Sequence, residues 1–124
     1  MNKVYLVDID GTICDDIKNE DSHLYSSAKP YENSREILNK WYDEGDSITF
    51  FTAREEKDRR VTEEWLKRNG FKYNGLIMGK PRIKDGQTYH WIDNRPVKAT
   101  TYLDNWSELT NETKVIEVFK PKRR

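Results

Sequence analysis

Two carboxylates near the amino terminus are the residues of this chain best suited to do chemistry. Asp8 and Asp10 follow the apolar run Val4–Val7 and are followed by Gly11 and Thr12. Side chains alternate along a strand, so both carboxylates would project the same way if the strand stayed extended through them. Gly11 then allows the backbone to turn at once. Two acids at the carboxyl end of a buried strand can bind a hard cation, although Asp and Gly are also common in ordinary turns.

Three further polar residues each follow a later predicted strand, and they are Thr52, Lys80 and Asp93. In an open parallel sheet the carboxyl ends of the strands meet at one edge, so we expect these residues to converge on the two carboxylates. The combined set suits phosphate chemistry. Carboxylates can hold Mg²⁺, while a hydroxyl and an ammonium can bind phosphoryl oxygens. One carboxylate can attack phosphorus, and the other can move a proton to and from the reacting oxygens.

The elements that must position these residues alternate between short apolar runs and helical stretches, which predicts βαβ units and a parallel sheet. The predicted strands cover residues 3–9, 47–51, 73–78 and 88–92, and the predicted helices cover residues 33–44, 55–69 and 96–106. Trp91 lies in the fourth predicted strand and is interpreted as a core residue. An edge strand is predicted over 113–119, and the basic tail over 120–124 is interpreted as a solvated end rather than a nucleic-acid arm.

Composition limits the class of protein further. The chain has 124 residues, the usual size of one domain. Its 22 Lys and Arg balance 22 Asp and Glu, so net charge gives no argument for a nucleic-acid or membrane partner. Four Trp, seven Tyr and four Phe argue against disorder. The one cysteine, Cys14, cannot form an internal disulfide, and no run reaches transmembrane length, which predicts a cytoplasmic protein.

The four motifs, taken in order, resemble those of the haloacid dehalogenase-like superfamily of phosphohydrolases. They are Asp8-Ile9-Asp10-Gly11-Thr12, Phe51-Thr52-Ala53-Arg54, Gly79-Lys80-Pro81 and Ile92-Asp93-Asn94-Arg95. The resemblance spans roughly residues 3–106 and implies a Rossmann-like α/β fold, a parallel sheet flanked by helices. The Gly-Lys-Pro and Ile-Asp-Asn-Arg-Pro stretches are also similar to those of small capsule-biosynthesis phosphatases within that superfamily.

The resemblance implies a role for each motif residue. Asp8 would be the nucleophile and a metal ligand. Asp10 would be the general acid and base, and its backbone carbonyl would also bind Mg²⁺. Thr52 and Lys80 would hold the phosphoryl group, with Lys80 also offsetting the charge of Asp8. Asp93 would complete the metal site.

The remaining polar and small residues of the first two motifs are candidates for substrate binding. We expect Gly11, Thr12, Ala53 and Arg54 to line the substrate, although Arg54 would serve equally well in a surface ion pair. Asn94 stands where many relatives carry a second acid, so the Mg²⁺ site has one negative charge fewer. Its amide oxygen can still orient a metal-bound water.

The gaps around the motifs leave no room for a cap domain. Residues 13–32 are long enough only for a loop or small flap, and one helix and one strand fill the second gap. We therefore expect one capless domain over residues 1–119. Its open site would take a large substrate or be closed by a second subunit, with Tyr102 and Trp106 offering apolar surface for a homo-oligomer.

Together these patterns favour a Mg²⁺-dependent phosphatase that acts on a small phosphomonoester, preferably a sugar phosphate, through an aspartyl phosphate. Two alternatives remain open. An open site would also admit a polynucleotide end, although the neutral charge argues against a nucleic acid. A non-catalytic phosphate-binding or regulatory domain is disfavoured by the pair Asp8 and Asp10, because two mutually repelling acids give no advantage to a simple binder.

Overall fold

The computed structural model of the protein describes residues 2–108. Three parallel strands form its sheet: β1 (Val4–Val7), β2 (Ser47–Phe51) and β3 (Gly75–Ile77). They pair in the order β1-β2-β3, with Val7 opposite Phe50 and Phe50 opposite Leu76. The parallel α/β fold expected from the sequence is confirmed, and the first three predicted strands are present in shorter or equal form.

Two helices connect the strands, α1 (Ser34–Asp43) and α2 (Arg59–Arg68). Each buries one apolar stripe because its inward residues recur three or four positions apart. Short 3₁₀ segments occur at Asn19–Ser27, Glu56–Asp58 and Trp106–Glu108. The helix expected from residue 55 therefore begins as a 3₁₀ turn and becomes α-helical only at Arg59.

The core lies between β2 and the two helices. Ile48 and Phe50, alternate residues of β2, are both fully buried, as expected for one face of a central strand. The Phe50 ring meets Phe71 edge-on at 5.9 Å between ring centroids, and Trp65 of α2 stacks on Phe71 at 5.5 Å. This aromatic cluster holds β2 against α2 and so positions the loop that follows β2.

Residues 13–32, here called the flap, form a packed layer rather than an open loop. Tyr25 is fully buried, and the backbone of the flap is bonded to α2 at two points. Trp65 Nε1 donates to the Ala28 carbonyl at 2.9 Å, and Arg68 Nη2 donates to the Ser26 carbonyl at 2.6 Å. The flap is therefore a fixed wall beside the sheet.

The fourth predicted strand, over 88–92, and the third predicted helix, over 96–106, are wrong for this structure. Residues 79–105 contain no helix and no strand. Trp91, expected in the core, is 52% exposed, and Ile92 is 89% exposed. Strand preference takes effect only where an extended segment finds a strand to pair with and a surface to cover. Among residues 2–108, no strand pairs with the outer edge of β1, and residues 88–92 do not join the sheet.

The remaining expectations concern the carboxyl-terminal segments and the absence of a membrane-spanning helix. The predicted edge strand over 113–119, the basic tail over 120–124 and the domain boundary at 119 lie outside the described residues. Within residues 2–108, none of the helices has the length and apolar character needed to cross a bilayer.

Candidate active site

The first three motifs meet at the carboxyl edge of the sheet. Asp8 follows the last residue of β1 and Thr52 follows the last residue of β2. Lys80 is tied to the second of these loops, because its amide donates to the Thr52 carbonyl at 2.9 Å. A further backbone bond of 2.8 Å, from Gly79 N to Arg54 O, holds the same two loops together. The parallel pairing of three strands therefore brings residues distant in sequence to one place.

Asp8 is an oriented but accessible carboxylate. Lys80 Nζ lies 3.2 Å from its Oδ1, and Thr12 Oγ1 donates to its Oδ2 at 3.1 Å. The Asp8 side chain is 36% exposed and that of Lys80 is 15% exposed. The Lys80 ammonium also lies 4.9 Å from the centroid of the Tyr89 ring. A substrate phosphoryl group can thus reach a carboxylate oxygen that already has a cation beside it.

Asp10 is held in a different way, by a buried guanidinium. Arg54 Nε and Nη2 donate to Asp10 Oδ2 and Oδ1 at 2.9 and 2.8 Å, a two-point contact. Arg54 is fully buried and the Asp10 side chain is 13% exposed. Burial raises the pKa of Asp10, while Arg54 opposes that shift and the neighbouring charges of Asp8 and Asp16 add to it. A carboxyl whose protonated form is favoured by burial suits a group that gives and takes a proton.

The Arg54 side chain is directed into the protein, and its expected contact with a substrate stays a prediction. Besides Asp10, its Nη1 donates to Thr62 Oγ1 at 3.0 Å, and its Cζ lies 3.8 Å from the centroid of the Tyr25 ring. All of these groups belong to the protein, and the side chain has no exposed surface. The surface ion pair is wrong, because the pair Arg54 forms is a buried one.

The other expected phosphate-binding and substrate-binding residues remain predictions. Thr52 is buried, and its Oγ1 accepts a hydrogen bond from Arg54 N at 3.1 Å. The amide of Gly11 donates to Cys14 O and that of Thr12 to Ile9 O, both within the turn after Asp10. The carbonyl of Ala53 accepts from Asn19 Nδ2 of the flap at 2.8 Å.

Gly11 is the position where the turn requires glycine. Its φ of 77° lies in the left-handed region, and a Cβ added there would come within 3.0 Å of Asp16 Cγ. Both facts favour a residue without a side chain at the point where the chain leaves the carboxylate pair.

Asp93 does not join the other acids in this structure. Its carboxylate is exposed and accepts hydrogen bonds from Trp91 Nε1 and Arg95 N, both at 3.1 Å, and these bonds lower its pKa. In the part of the chain that the structure describes, no three His, Cys, Asp or Glu residues are grouped so that they could hold a metal ion. The physical reason is the missing fourth strand, which was expected to deliver Asp93 to the sheet edge.

Sequence reasoning missed three residues that shape the site. Tyr25 and Thr62 contact Arg54, and Trp106 Nε1 donates to the Thr12 carbonyl at 2.7 Å. Thr62 had a readable signal, since it is a polar residue on the same buried stripe of α2 as Trp65 and Leu66. Trp106, expected to offer surface to a second subunit, is only 3% exposed and packs within the chain.

Comparison with known proteins agrees with this geometry. The parallel α/β fold, with a carboxylate pair beside a lysine at the sheet edge and no cap domain within residues 2–108, is that of the haloacid dehalogenase-like superfamily. More specifically, the chain belongs to the LNS2 domain family, because the family model described as "PITM 1-3, LNS2 domain" matches residues 5–95.

A solved structure gives independent support for the fold. The crystal structure of a structural-genomics target from Vibrio cholerae superposes with a TM-score of 0.57 at 25% sequence identity. The match covers 77% of this chain and 82% of that one. The search of curated proteins gave no significant match. Neither comparison bears on the resemblance to capsule-biosynthesis phosphatases, which remains a prediction.

Proposed function

We propose that this domain is a Mg²⁺-dependent phosphomonoesterase that works through a phosphorylated Asp8. The observation that carries the proposal is the environment of the Asp8 carboxylate, which is accessible, oriented by Thr12 at 3.1 Å and paired with Lys80 at 3.2 Å. A nucleophile needs exposure and orientation, and a phosphoryl acceptor needs a nearby cation to offset the charge of the incoming phosphate.

The proposed reaction has two steps. An Asp8 oxygen attacks phosphorus, the bond from phosphorus to the ester oxygen breaks, and Asp10 gives its proton to that departing oxygen. Water then attacks the phosphorus of the acyl phosphate, Asp10 takes a proton from that water, and inorganic phosphate leaves with Asp8 restored. Throughout, Lys80 and Thr52 are proposed to bind the phosphoryl oxygens.

The chemistry of the donor groups fits Mg²⁺. A carboxylate offers about four lone-pair positions, and the contacts of Asp8 with Lys80 and Thr12 leave others for a hard cation. The Asp8 carboxylate and the Asp10 carbonyl are proposed to hold the ion, with water completing the shell. Asp93 lies apart from this pair in the present structure and remains a proposed third ligand. When bound, Mg²⁺ would lower the repulsion between the phosphoryl group and the carboxylate.

We propose a small sugar phosphate as the substrate and a homo-oligomer as the form that encloses it. The motif resemblance supports this choice of substrate, and the flap contributes two polar side chains near the second and third motifs. Its Asn19 reaches the Ala53 carbonyl beside the second motif, and its Glu20 pairs with Arg82 at 2.8 Å. An active site that lacks a cap leaves a small ester in water, where electrostatic interactions are weak, and a second subunit would exclude that water.

The deciding experiment is a phosphate-release screen with the purified full chain. Sugar phosphates, nucleotides and 3′-phosphorylated oligonucleotides are offered with Mg²⁺ and again with excess chelator, and Asp8→Asn serves as the inactive control. Metal-dependent release from a sugar phosphate supports the proposal. Release confined to oligonucleotide ends would replace it with a polynucleotide end phosphatase. Phosphate binding without release from any ester would favour a non-catalytic domain.

A further inference from the structure

The guanidinium of Arg54 lies at the centre of a buried network that ends on the proposed proton-transfer group. Two of its donors contact Asp10, a third contacts Thr62, and one face of the group lies over the Tyr25 ring. Two-point pairing of a guanidinium with a carboxylate fixes orientation as well as distance, which a single contact does not.

The network is anchored from two sides. On α2, Thr62 Oγ1 donates to the Asp58 carbonyl at 2.8 Å and so presents an oxygen lone pair to Arg54. On the flap, Tyr25 OH donates to Asn19 Oδ1 at 3.2 Å, and Asn19 in turn donates to the backbone of residue 53. The helix and the flap therefore fix Arg54, and Arg54 fixes Asp10.

This arrangement limits where Asp10 can carry a proton. Arg54 uses one lone pair on each Asp10 oxygen, which leaves roughly two of the four lone-pair positions of a carboxylate. The 13% of the Asp10 side chain that is exposed is the part through which a proton can pass to a substrate. Geometry of this kind matters because proton transfer needs the donor within hydrogen-bond reach of the acceptor.

We propose that Arg54 is a positioning residue that holds Asp10 so that its O–H, carried on a position that Arg54 leaves free, points to the leaving-group oxygen. The proposal rests on the proposed phosphatase function. In the first step the Asp10 O–H proton moves to the ester oxygen while the bond from phosphorus to that oxygen breaks and the bond from Asp8 to phosphorus forms. Arg54 exchanges no proton and touches no substrate.

The test compares two esters that differ in their need for a proton. An alkyl phosphate has a poor leaving group that must be protonated, whereas an aryl phosphate such as p-nitrophenyl phosphate departs with little help. The value of kcat/KM reports events up to the first irreversible step, which is transfer to Asp8. For Arg54→Gln we expect kcat/KM to fall about 100-fold with the alkyl ester, the scale of general acid catalysis, and less than about threefold with the aryl ester, with KM for both nearly unchanged.

Two companion variants separate positioning from loss of the fold. Thr62→Val removes one anchor of Arg54 with little change of volume, and we expect a smaller loss with the same preference for the aryl ester. Arg60→Gln removes an arginine of α2, the helix that carries Thr62, and the Arg60 side chain is 92% exposed. We expect this variant to leave kcat/KM unchanged with either ester. Arg54→Lys keeps the charge but loses the two-point contact, so we expect it to restore only part of the alkyl-ester rate.

Three other outcomes would overturn the positioning role of Arg54. Equal losses with both esters in Arg54→Gln and Thr62→Val would overturn the positioning role, because damage to the whole site does not distinguish leaving groups. Full recovery in Arg54→Lys would show that charge alone matters and would also overturn it. A wild-type chain that releases phosphate from neither ester would overturn the proposed function, and this proposal with it.

Discussion

The contact between Asp10 and Arg54 predicts a large stability effect from a nearly isosteric change. Asp10→Asn keeps the size of the side chain but removes its charge, and its amide then faces a guanidinium donor. Arg54 remains as a charge with no exposed surface and no neutralising partner. Removing one member of a buried pair typically costs about 3–5 kcal/mol, and the residual exposure of Asp10 places the expected loss near the lower end, about 3 kcal/mol.

Urea unfolding followed by tryptophan fluorescence measures this loss. With a slope of about 2 kcal/mol per molar urea for a domain of this size, the midpoint should fall by about 1.5 M. Asp43→Asn is the matched control, since Asp43 forms an ion pair of the same 2.8 Å length with Lys72, but with side chains 55% and 50% exposed. Exposed pairs contribute about 0–1 kcal/mol, so that midpoint should move by less than about 0.5 M.

The two variants together decide whether burial is the cause. Equal midpoint shifts in Asp10→Asn and Asp43→Asn would refute the reasoning, because the first pair is buried and has two contacts whereas the second is exposed and has one. A double-mutant cycle adds a second check. If Asp10→Asn costs as much in an Arg54→Met background as in the wild type, the loss does not come from the contact between these two residues.

Four further outcomes follow from the site. Asp8→Asn should abolish phosphate release with an unchanged unfolding midpoint, since an amide is a far poorer nucleophile, and activity within about tenfold of wild type, ~1.4 kcal/mol of barrier, would contradict a covalent step. Chelation should remove activity, Mg²⁺ should restore it, and Asp93→Ala should raise the Mg²⁺ concentration required; full activity in excess chelator would exclude the metal role. Burial raises the pKa of Cys14 to about 12, so its thiol should react slowly with a disulfide reagent at pH 8 and rapidly in urea, and fast labelling of the native chain would contradict its burial. Light scattering should show an oligomer at micromolar concentration, and a monomer that turns over a small sugar phosphate efficiently would rule out closure by a second subunit.

The motif residues and the first three strands were readable from sequence for a simple reason. Strands of a parallel sheet are rich in apolar residues, so the runs before Asp8 and Thr52 stand out from the polar residues that follow them. The helical stripe of α2 was equally clear, because Val61, Trp65 and Leu66 recur at helical spacing, and Trp65 and Leu66 are fully buried. Both patterns depend on residues that are close together in the chain, so they can be recognised from the sequence alone.

The outcomes for residues 79–105 show where such reasoning stops. The run that ends at Ile92 has the composition of a strand, yet the side chains of Trp91 and Ile92 are largely exposed. Composition indicates only that a segment has a high strand propensity. Whether it joins one depends on an available edge and on the layer that would cover it, and both belong to the rest of the chain.

By itself the sequence determined the parallel α/β class, the carboxylate pair at the end of the first strand and the lysine that accompanies it, because each depends on residue type and short spacing. Only the tertiary structure decided that Arg54 pairs with Asp10 in the interior, that the flap packs against α2, and that Trp106 is buried against the loop after Asp10. Each of these is a contact between segments distant in sequence, 44 residues apart for Arg54 and Asp10 and 94 for Trp106 and Thr12. Such contacts depend on the whole fold, because a buried charge or hydrogen-bond donor needs a partner, and that partner can come from any part of the chain.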